Sequence, residues 1–389
     1  MPFALYLLAL AVFVMGTSEF MLAGLLPAIA TELDVSVGTA GLLNSAFAVG
    51  MVVGAPVMAA FARRWPPRLT LISCLLVFAG SHVVGALTPV FSLLLITRVL
   101  SALGNAGFLA VALSTATTLV PGDQKGRALS ILLSGTTIAT VAGVPAGALL
   151  GTVLGWRATF WSIVILCVPA VFGIIRGIAG KSTTPGAAPQ LRAELEQLAN
   201  PRLVLAMTLG ALINGGTFAA FTFFAPVVTE TAGLAEGWVS VALVMFGIGS
   251  FFGVTIAGRL SDRRPGLVLA VGGPLLLTGW IVLAAVASHP VMLFVLLLIQ
   301  GLLSFGVGST VITRVLYAAS GAPTMGGSYA TAALNAGAAA GPVLGALALT
   351  TGAGESAPIW IAAALTAVAL VIMCLTRRMF TKPTAEAMG

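Results

Sequence analysis

Hydrophobic residues occur in long continuous runs along this chain, and short polar turns containing glycine or proline separate most of the runs. Each run is about 20 residues long, the length that an α-helix needs to cross a bilayer. Strands of a membrane β-barrel would instead alternate apolar and polar residues. Twelve crossing helices are predicted, over residues 4–27, 40–62, 69–88, 91–119, 128–153, 158–178, 202–227, 238–258, 267–288, 291–318, 325–350 and 357–376.

The composition supports this prediction. The 389 residues are 59% hydrophobic and only 7% charged, whereas a soluble domain has about 25% charged residues. A soluble protein needs a polar exterior that this chain cannot supply. In lipid, helices satisfy their own backbone hydrogen bonds. We therefore predict an all-α integral membrane protein whose main partner is the lipid bilayer.

The longest polar gap, residues 180–200, divides six predicted helices from six others. This gives an N-terminal half over 1–179, a linker over 180–200, a C-terminal half over 201–378 and a tail over 379–389. Within the linker, "QLRAELEQL" predicts a short amphipathic helix on the membrane surface. The two halves show an internal repeat: Gly16-Thr17 corresponds to Gly216-Thr217, and "FARRWPPR" corresponds to "LSDRRPG" at a similar offset. Parallel six-helix halves characterise one class of secondary transporters.

Basic residues are concentrated in alternate loops, which predicts the orientation. If the N-terminus is cytoplasmic, the cytoplasmic loops hold 16 of the 18 basic residues, namely Arg63, Arg64, Arg68, Lys125, Arg127, Arg176, Lys181, Arg192, Arg202, Arg259, Arg263, Arg264, Arg314, Arg377, Arg378 and Lys382. Cytoplasmic loops are enriched in lysine and arginine. We therefore expect both termini in the cytoplasm, and we attribute the net charge of +7 to topology and not to nucleic-acid binding.

Two opposite charges, Glu19 and Arg98, lie deep within predicted spans. Helix geometry places Glu19 about 22 Å from the cytoplasmic start of the first helix and Arg98 about 12 Å from the outer start of the fourth. The two therefore lie at similar depth, slightly outside the midplane of a core about 30 Å thick. A glutamate can lose its proton here, whereas an arginine cannot. We predict that the pair couples transport to protons, and a permanent structural ion pair is the alternative.

Glycine and proline recur at matching positions of the fifth and eleventh segments. The residues are Gly143, Pro145 and Gly147 in the fifth, and Gly337, Gly341, Pro342 and Gly345 in the eleventh. Glycines at i, i+4 and i+8 let a neighbouring helix approach closely, and proline removes a backbone hydrogen bond and bends a helix. We expect these segments to support rocking of the halves, with static helix packing as the alternative.

Several of these motifs resemble those of a known family. "GRLSDRRPG" (258–266), "GAAAGPVLG" (337–345) and "LITRVLSALGNAG" (95–107) resemble the loop, antiporter and fourth-segment motifs of the major facilitator superfamily. The N-terminal stretches "GTSEF" and "LLPAIATEL" resemble the drug:proton antiporter family with twelve helices. The chain further resembles the actinobacterial chloramphenicol exporters, chiefly through "MPFALYLLALAVFVMGTSEFMLAGLLPAIA" and "GVPAGALLG". The resemblance covers nearly the whole chain.

This resemblance implies the major facilitator fold, with twelve helices in two pseudo-symmetric halves. It also implies a proton-coupled antiporter in the cytoplasmic membrane that exports a small, mainly neutral aromatic drug, chloramphenicol first, and confers antibiotic resistance. It places the first and fourth segments together at a central cavity. In the first-half loop, the family's aspartate position holds Arg63. We therefore expect Asp262 and Arg263 of the second-half loop to form the stronger cytoplasmic latch.

The second half has no counterpart of Glu19 and Arg98, and its first segment is rich in phenylalanine. We expect Phe218 and Phe221, at i and i+3, to contact an aromatic drug, with lipid or core contact as the alternative. Amides within spans are candidates for polar drug contacts, although hydrogen bonds between helices are the competing role. These amides belong to Asn44, Asn105, Asn214 and Asn335.

Other classes of function fit poorly. "GIAGKS" (177–182) lacks the first glycine of an ATP-binding loop, because residue 175 is Ile175. The cysteines lie in apolar segments, and the two histidines, His82 and His289, lie near segment ends, where we expect an interfacial role and no metal. No nucleophile–base pair or acidic cluster suggests an enzyme. We expect a monomer driven by the proton gradient without a cofactor. An exporter of sugars, nucleosides or amino acids is the alternative function.

Overall fold

The computed structural model describes residues 2–61, 65–121, 124–178, 191–261, 265–322 and 325–376. In these ranges the regular structure is helical, and no strand occurs. The α-helices described are α1 Phe3–Phe20, α2 Leu26–Glu32, α3 Val37–Phe61, α4 Pro67–Leu87, α5 Phe91–Thr118, α6 Lys125–Ile138, α7 Val144–Leu154, α8 Trp156–Gly177, α9 Leu191–Glu196, α10 Pro201–Phe221, α11 Phe224–Pro226, α12 Gly237–Ser261, α13 Pro265–Val286, α14 Pro290–Ala318, α15 Gly326–Leu349 and α16 Ala357–Leu375.

Within the described residues, twelve helical segments are long and apolar enough to cross a membrane. The predicted fold class, an all-α membrane protein with twelve crossing helices, is therefore confirmed. Three of the predicted segments, the first, the fifth and the seventh, are not single helices. The first comprises α1 and a 3₁₀ turn at Met21–Gly24. The fifth comprises α6, a π-helical stretch at Ala139–Gly143 and α7.

The first and seventh segments break at equivalent points. Helix α1 ends at Phe20 and α10 ends at Phe221, an offset of 201 residues. Each is followed by a short irregular stretch and a short helix that contains a proline, Pro27 in α2 and Pro226 in α11. Broken helices leave backbone groups without helical partners, and transporters place such breaks where they line a binding site. In this chain Glu19 lies one residue before the first break.

The glycine motifs of α7 and α15 face helices of their own half. A Cβ atom added at Gly337 or Gly341 would collide with backbone carbonyl oxygens of α10, those of Ala211 and Gly215. A Cβ at Gly143 would collide with the Thr17 side chain of α1. These glycines therefore allow close packing inside each half, and their role in rocking stays a prediction. Pro145 lies in the first turn of α7, just after the π-helical stretch, and Pro342 lies inside α15.

The two halves are in contact at the end of the bundle where α2 ends with Glu32, which we call the Glu32 end. By the alternation of the spans, the linker lies at the opposite end. A Cβ at Gly38 of α3 would lie 3.4 Å from the Cβ of Ala346 in α15. Gly24 is similarly close to Leu243 of the second half. Contacts between halves are thus formed through small residues and a few apolar side chains.

The linker contains the predicted short helix, α9, and this helix docks on the second half. The Glu194 side chain is 1% exposed, and its Oε2 accepts a hydrogen bond from the Met325 backbone N–H at 2.8 Å. The Tyr329 hydroxyl donates to the Glu194 carbonyl at 2.7 Å. The helix is therefore held by protein contacts at the start of α15 in addition to any contact with the membrane surface.

The glycine packing leads to a stability prediction. We expect Gly341→Ala to destabilise the protein by about 1–3 kcal/mol, because the added methyl group overpacks the α10–α15 contact. The measurement is thermal unfolding of the purified protein in detergent.

Gly327→Ala is the matched control, because it lies in the same helix with open space around its Cβ position. It should be neutral or stabilising by up to about 1 kcal/mol. Equal effects of the two substitutions would contradict the packing assignment.

Candidate functional site

Glu19 and Arg98 come together in the first half. Glu19 is half-buried near the end of α1, and Arg98 is 1% exposed within α5. Their opposite charges attract each other. Both residues are described, and no nitrogen–oxygen distance of 4.0 Å or less joins them. The pair is therefore an electrostatic couple and not a direct ion pair in this conformation.

Arg98 is anchored on the residue that precedes Glu19. Its Nη1 donates to Ser18 Oγ at 3.0 Å, and its Nη2 donates to the Ser18 carbonyl oxygen at 3.0 Å. The guanidinium carbon also lies 4.6 Å from the centre of the Phe47 ring. Two hydrogen bonds and a cation–π contact offset part of the cost of burying the charge. The planar fork of arginine is required for this arrangement, since lysine cannot donate in two parallel directions.

The hydrogen-bonded chain continues to His82 in α4. The distance from Ser18 Oγ to His82 Nε2 is 2.7 Å, and the distance from His82 Nδ1 to the Phe78 carbonyl oxygen is also 2.7 Å. His82 is 1% exposed, and its ring lies 4.4 Å from that of Phe78 and 5.5 Å from that of Phe160. The expectation of an interfacial His82 was wrong. His82 lies five residues before the end of α4. The sequence places it near the end of the span but does not show which neighbouring helices cover it.

An aromatic cluster adjoins the charged pair at the boundary between the halves. Phe20, directly after Glu19, lies 5.8 Å from Phe218 and 6.1 Å from Phe221 between ring centres. Phe221 in turn contacts Phe224 and Phe246. Phe218 and Phe221 are mostly buried, whereas Phe20 is half-buried. The two phenylalanines predicted from the sequence are thus brought to the site, and Phe20 was missed.

The four asparagines differ in their partners. Asn44 Nδ2 donates to Thr222 Oγ1 of the second half at 3.1 Å, and Asn44 Oδ1 is buried without a hydrogen bond. Asn214 donates to the Leu334 carbonyl at 2.7 Å, and Asn335 donates within its own helix. Asn105 is 6% exposed and makes no hydrogen bond to another described residue. It lies two helical turns after Arg98, about 10 Å along α5.

The predicted cytoplasmic latch, Asp262 and Arg263, lies outside the described residues. At the Glu32 end, Arg157 Nη2 lies 3.0 Å from Glu32 Oε1 and donates to the Thr88 carbonyl at 3.1 Å. Trp156 Nε1 donates to Glu32 Oε2 at 2.6 Å. The Arg157 side chain is partly exposed, so this ion pair contributes little to stability by itself. These contacts join the ends of α2 and α4 to the start of α8.

Two further carboxyl groups lie at the same end in the second half. Burial raises the pKa of the Glu355 carboxyl, and the negative charge of nearby Glu230 raises it further. Among the described residues, no group of three or more histidine, cysteine, aspartate or glutamate side chains could hold a metal ion.

The sequence matches the family model described as Major Facilitator Superfamily over residues 8–332. The chain belongs to the major facilitator superfamily. It is 62% identical over 383 residues to a Streptomyces lividans protein named "Chloramphenicol resistance protein", with 98% of each chain covered. The resemblance seen in the sequence is therefore confirmed. Membership makes the chain a multi-pass membrane transporter of small molecules.

Other transport proteins are similar over nearly the whole chain. The inner membrane transport protein YdhP of Escherichia coli K12 is 32% identical, with 97% of this chain and 96% of the relative covered. A Bacillus subtilis protein named as an uncharacterised MFS-type transporter, YtbD, is 33% identical over 99% and 98%. The structure of a bacterial homologue of the human lysosomal transporter Spinster, in an inward-facing and unoccupied conformation, matches with a TM-score of 0.72 at 18% identity. It covers 97% of this chain and 95% of that chain. This likeness shows the shared fold.

The Asn44–Thr222 hydrogen bond leads to a prediction about this transporter. Thr222→Val removes the hydroxyl acceptor and leaves the buried Asn44 amide without a partner, at a cost of about 1–3 kcal/mol. The halves should then separate more often at the Glu32 end. We would introduce cysteines at Gly38 and Ala346, whose Cβ positions are 3.4 Å apart, after replacing the three natural cysteines. Disulfide formation between them should slow by about tenfold.

Thr229→Val provides the control, because the Thr229 hydroxyl bonds only within its own helical stretch, to the Ala225 carbonyl at 3.1 Å. It should leave the cross-linking rate unchanged. An unchanged rate in Thr222→Val would show that this hydrogen bond does not hold the halves together.

Proposed function

We propose that this chain is a proton-coupled antiporter that exports a small, mainly neutral aromatic drug by alternating access and thereby confers antibiotic resistance. Chloramphenicol is the first candidate substrate. The observation that carries this proposal is the 62% identity, over 98% of both chains, to a protein named for chloramphenicol resistance. The identity extends over nearly the full length of both chains, so the halves and the segments that carry Glu19 and Arg98 are compared as wholes.

The geometry around Glu19 supports the coupling step. Burial favours the protonated carboxyl, whereas the Arg98 charge favours the carboxylate. Because Arg98 is hydrogen-bonded to Ser18 and not to Glu19, the Glu19 carboxyl is left able to bind or release a proton. In the proposed cycle Glu19 takes a proton from the outside and releases it to the cytoplasm as the drug binds. Inward proton movement would then drive outward drug movement.

The contacts at the Glu32 end support alternating access. We propose that this end faces outward, as the distribution of basic residues predicts, and that it is closed here by the Asn44–Thr222 bond and the small-residue contacts. The residue ranges 1–179 and 201–378 would be the two rocking units, linked through 180–200, with both termini in the cytoplasm. The transporter would act as a monomer in the cytoplasmic membrane and use the proton gradient without a cofactor.

The aromatic cluster supports an aromatic, neutral substrate. Phe20 and Phe218 offer ring surface next to Glu19, and edge-to-face contacts with a drug ring are favourable. Asn105 supplies an amide that makes no hydrogen bond to another described residue and could bond a drug hydroxyl or amide group. One carboxylate beside an arginine offers little to a cationic drug. Exchange of one proton for a neutral drug moves charge, so transport should respond to voltage as well as to pH.

The remaining alternative is an exporter of sugars, nucleosides or amino acids. A sugar site needs many polar side chains within the spans. Here Asn214, Asn335 and one end of Asn44 are already bonded to protein groups. The alternative is kept as an outcome of the transport test.

Glu19→Gln tests the proposal directly. In inverted membrane vesicles with an imposed acidic interior, the parent should accumulate labelled chloramphenicol. Glu19→Gln should lose gradient-driven uptake by about a hundredfold, in the range attributed to positioned proton-transfer groups, while still binding the drug.

Glu236→Gln is the control, because Glu236 is exposed in a loop at the Glu32 end and should transport normally. Uptake unchanged in Glu19→Gln would make Glu19 structural. No uptake of chloramphenicol by the parent, with saturable transport of a sugar, would favour the alternative.

A further inference from the structure

We propose that His82 is a positioning residue that acts through Ser18: it orients the Ser18 hydroxyl so that Arg98 is held on Ser18 and away from Glu19. The contribution of this arrangement to transport rests on the proposed function of Glu19. The hydrogen-bonded chain itself stands on the geometry and can be tested without a substrate.

Only one assignment of hydrogens satisfies the Ser18 hydroxyl, both ring nitrogens of His82 and the Phe78 carbonyl oxygen, whereas the buried Arg98 Nε has no hydrogen bond in any of them. Arg98 can only donate, so Ser18 Oγ accepts from its Nη1. The Ser18 hydroxyl has one hydrogen to donate, and His82 Nε2 lies 2.7 Å away. If Nε2 accepts, the proton of the neutral imidazole is on Nδ1. It then donates to the Phe78 carbonyl oxygen at 2.7 Å, which can only accept.

The other assignments leave a group unsatisfied. If Nε2 carried the only ring proton, Nδ1 would face the Phe78 carbonyl as one acceptor against another. If both nitrogens were protonated, an imidazolium would lie beside the buried Arg98 charge, and the Ser18 hydrogen would lose its acceptor. Buried unsatisfied groups and unpaired like charges are costly. With the proton on Nδ1, each group donates to the next: Arg98 to Ser18, Ser18 to His82, and His82 to the Phe78 carbonyl oxygen.

This order of donors and acceptors holds the Arg98 guanidinium on Ser18. Because the Ser18 hydroxyl donates its hydrogen to His82, its oxygen lone pairs face Arg98 and accept from Nη1. The Ser18 carbonyl, which accepts from Arg98 Nη2 at 3.0 Å, is in the last turn of α1, where carbonyl groups lack helical partners and favour a positive charge. Ser18 thus competes with the neighbouring Glu19 for the same cation. The Phe78 and Phe160 rings cover His82, which is 1% exposed, so the Ser18–His82 hydrogen bond is shielded from water at that end.

Paired substitutions of His82 test the positioning role. The amide of glutamine reaches the place of Nε2 and can accept from Ser18, whereas the shorter amide of asparagine reaches only the place of Nδ1. We expect His82→Gln to retain most of the gradient-driven chloramphenicol uptake in inverted vesicles. His82→Asn should reduce it by about tenfold, the effect of losing one hydrogen bond to a charged network. It should also shift the dependence of uptake on the interior pH, because Arg98 would bind Glu19 more often.

A double-mutant cycle separates this role from simple packing. Ser18→Ala should lower uptake at least as much as His82→Asn, because it also removes the acceptor of Arg98 Nη1. The double variant should be no worse than Ser18→Ala alone, since His82 acts through Ser18. Effects that add would overturn the proposal, and so would equal losses in His82→Gln and His82→Asn. Size-exclusion profiles and drug binding would verify that each variant is folded.

The imidazole can also be observed without any substrate. The chain has two histidines, and His289 is exposed in a loop. With ¹⁵N-histidine in a His289→Gln background, His82 alone is visible by NMR. A neutral imidazole with its proton on Nδ1 at neutral pH is expected, and either the Nε2–H tautomer or a doubly protonated ring would overturn the proposal. If the parent transports no chloramphenicol, the proposed function fails. The spectrum still tests the hydrogen bonds from Ser18 through His82 to Phe78, because it needs no substrate.

Discussion

The burial of the Arg98 charge is the constraint on which the rest of the site depends. A guanidinium cannot shed its proton under these conditions, and a charge at this depth is expensive unless the protein surrounds it with partners. The chain supplies them from three helices: Ser18 at the end of α1, Phe47 in α3 and, through Ser18, His82 in α4. The break in α1 after Phe20 is part of this solution, because the end of a helix offers carbonyl oxygens to a cation. Glu19 therefore sits beside a fixed positive charge without being tied to it.

The two halves share a fold but differ in chemistry. Both first segments break at equivalent positions, Phe20 and Phe221, and in both halves glycines let the fifth segment pack closely on the first. At the position equivalent to Glu19 the second half has Ala219, which is fully buried. Aromatic rings occupy the space near it. The symmetric backbone thus holds a charged site on one side and an apolar wall on the other, and Phe20 joins them by contacting Phe218.

Most of the fold could be predicted from the sequence because lipid leaves few choices. A bilayer requires long apolar helices, and the sequence contains twelve apolar runs of suitable length. Glu19 and Arg98 could then be identified as candidates, because charged residues are rare within such runs. Ser18 and His82 could not be found in this way. A serine is common in membrane helices, and a histidine five residues from a helix end is predicted to be interfacial until the packing of α4 against α5 and α8 is known.

The same limit explains the asparagines and the glycine motifs. Sequence identifies an amide within a span, but it cannot distinguish an amide that faces a cavity from one that bonds a neighbouring carbonyl, as Asn214 does. Likewise, a stripe such as Gly337 and Gly341 predicts a close helix contact without naming the partner, and here the partner is α10 of the same half. For the proposed mechanism, close glycine contacts within each half stiffen that half, so the halves would move as rigid units. The contacts that must separate are then those between the halves, among them the single neutral hydrogen bond from Asn44 to Thr222 and the close approach of Gly247 in α12 to the Thr140 carbonyl oxygen.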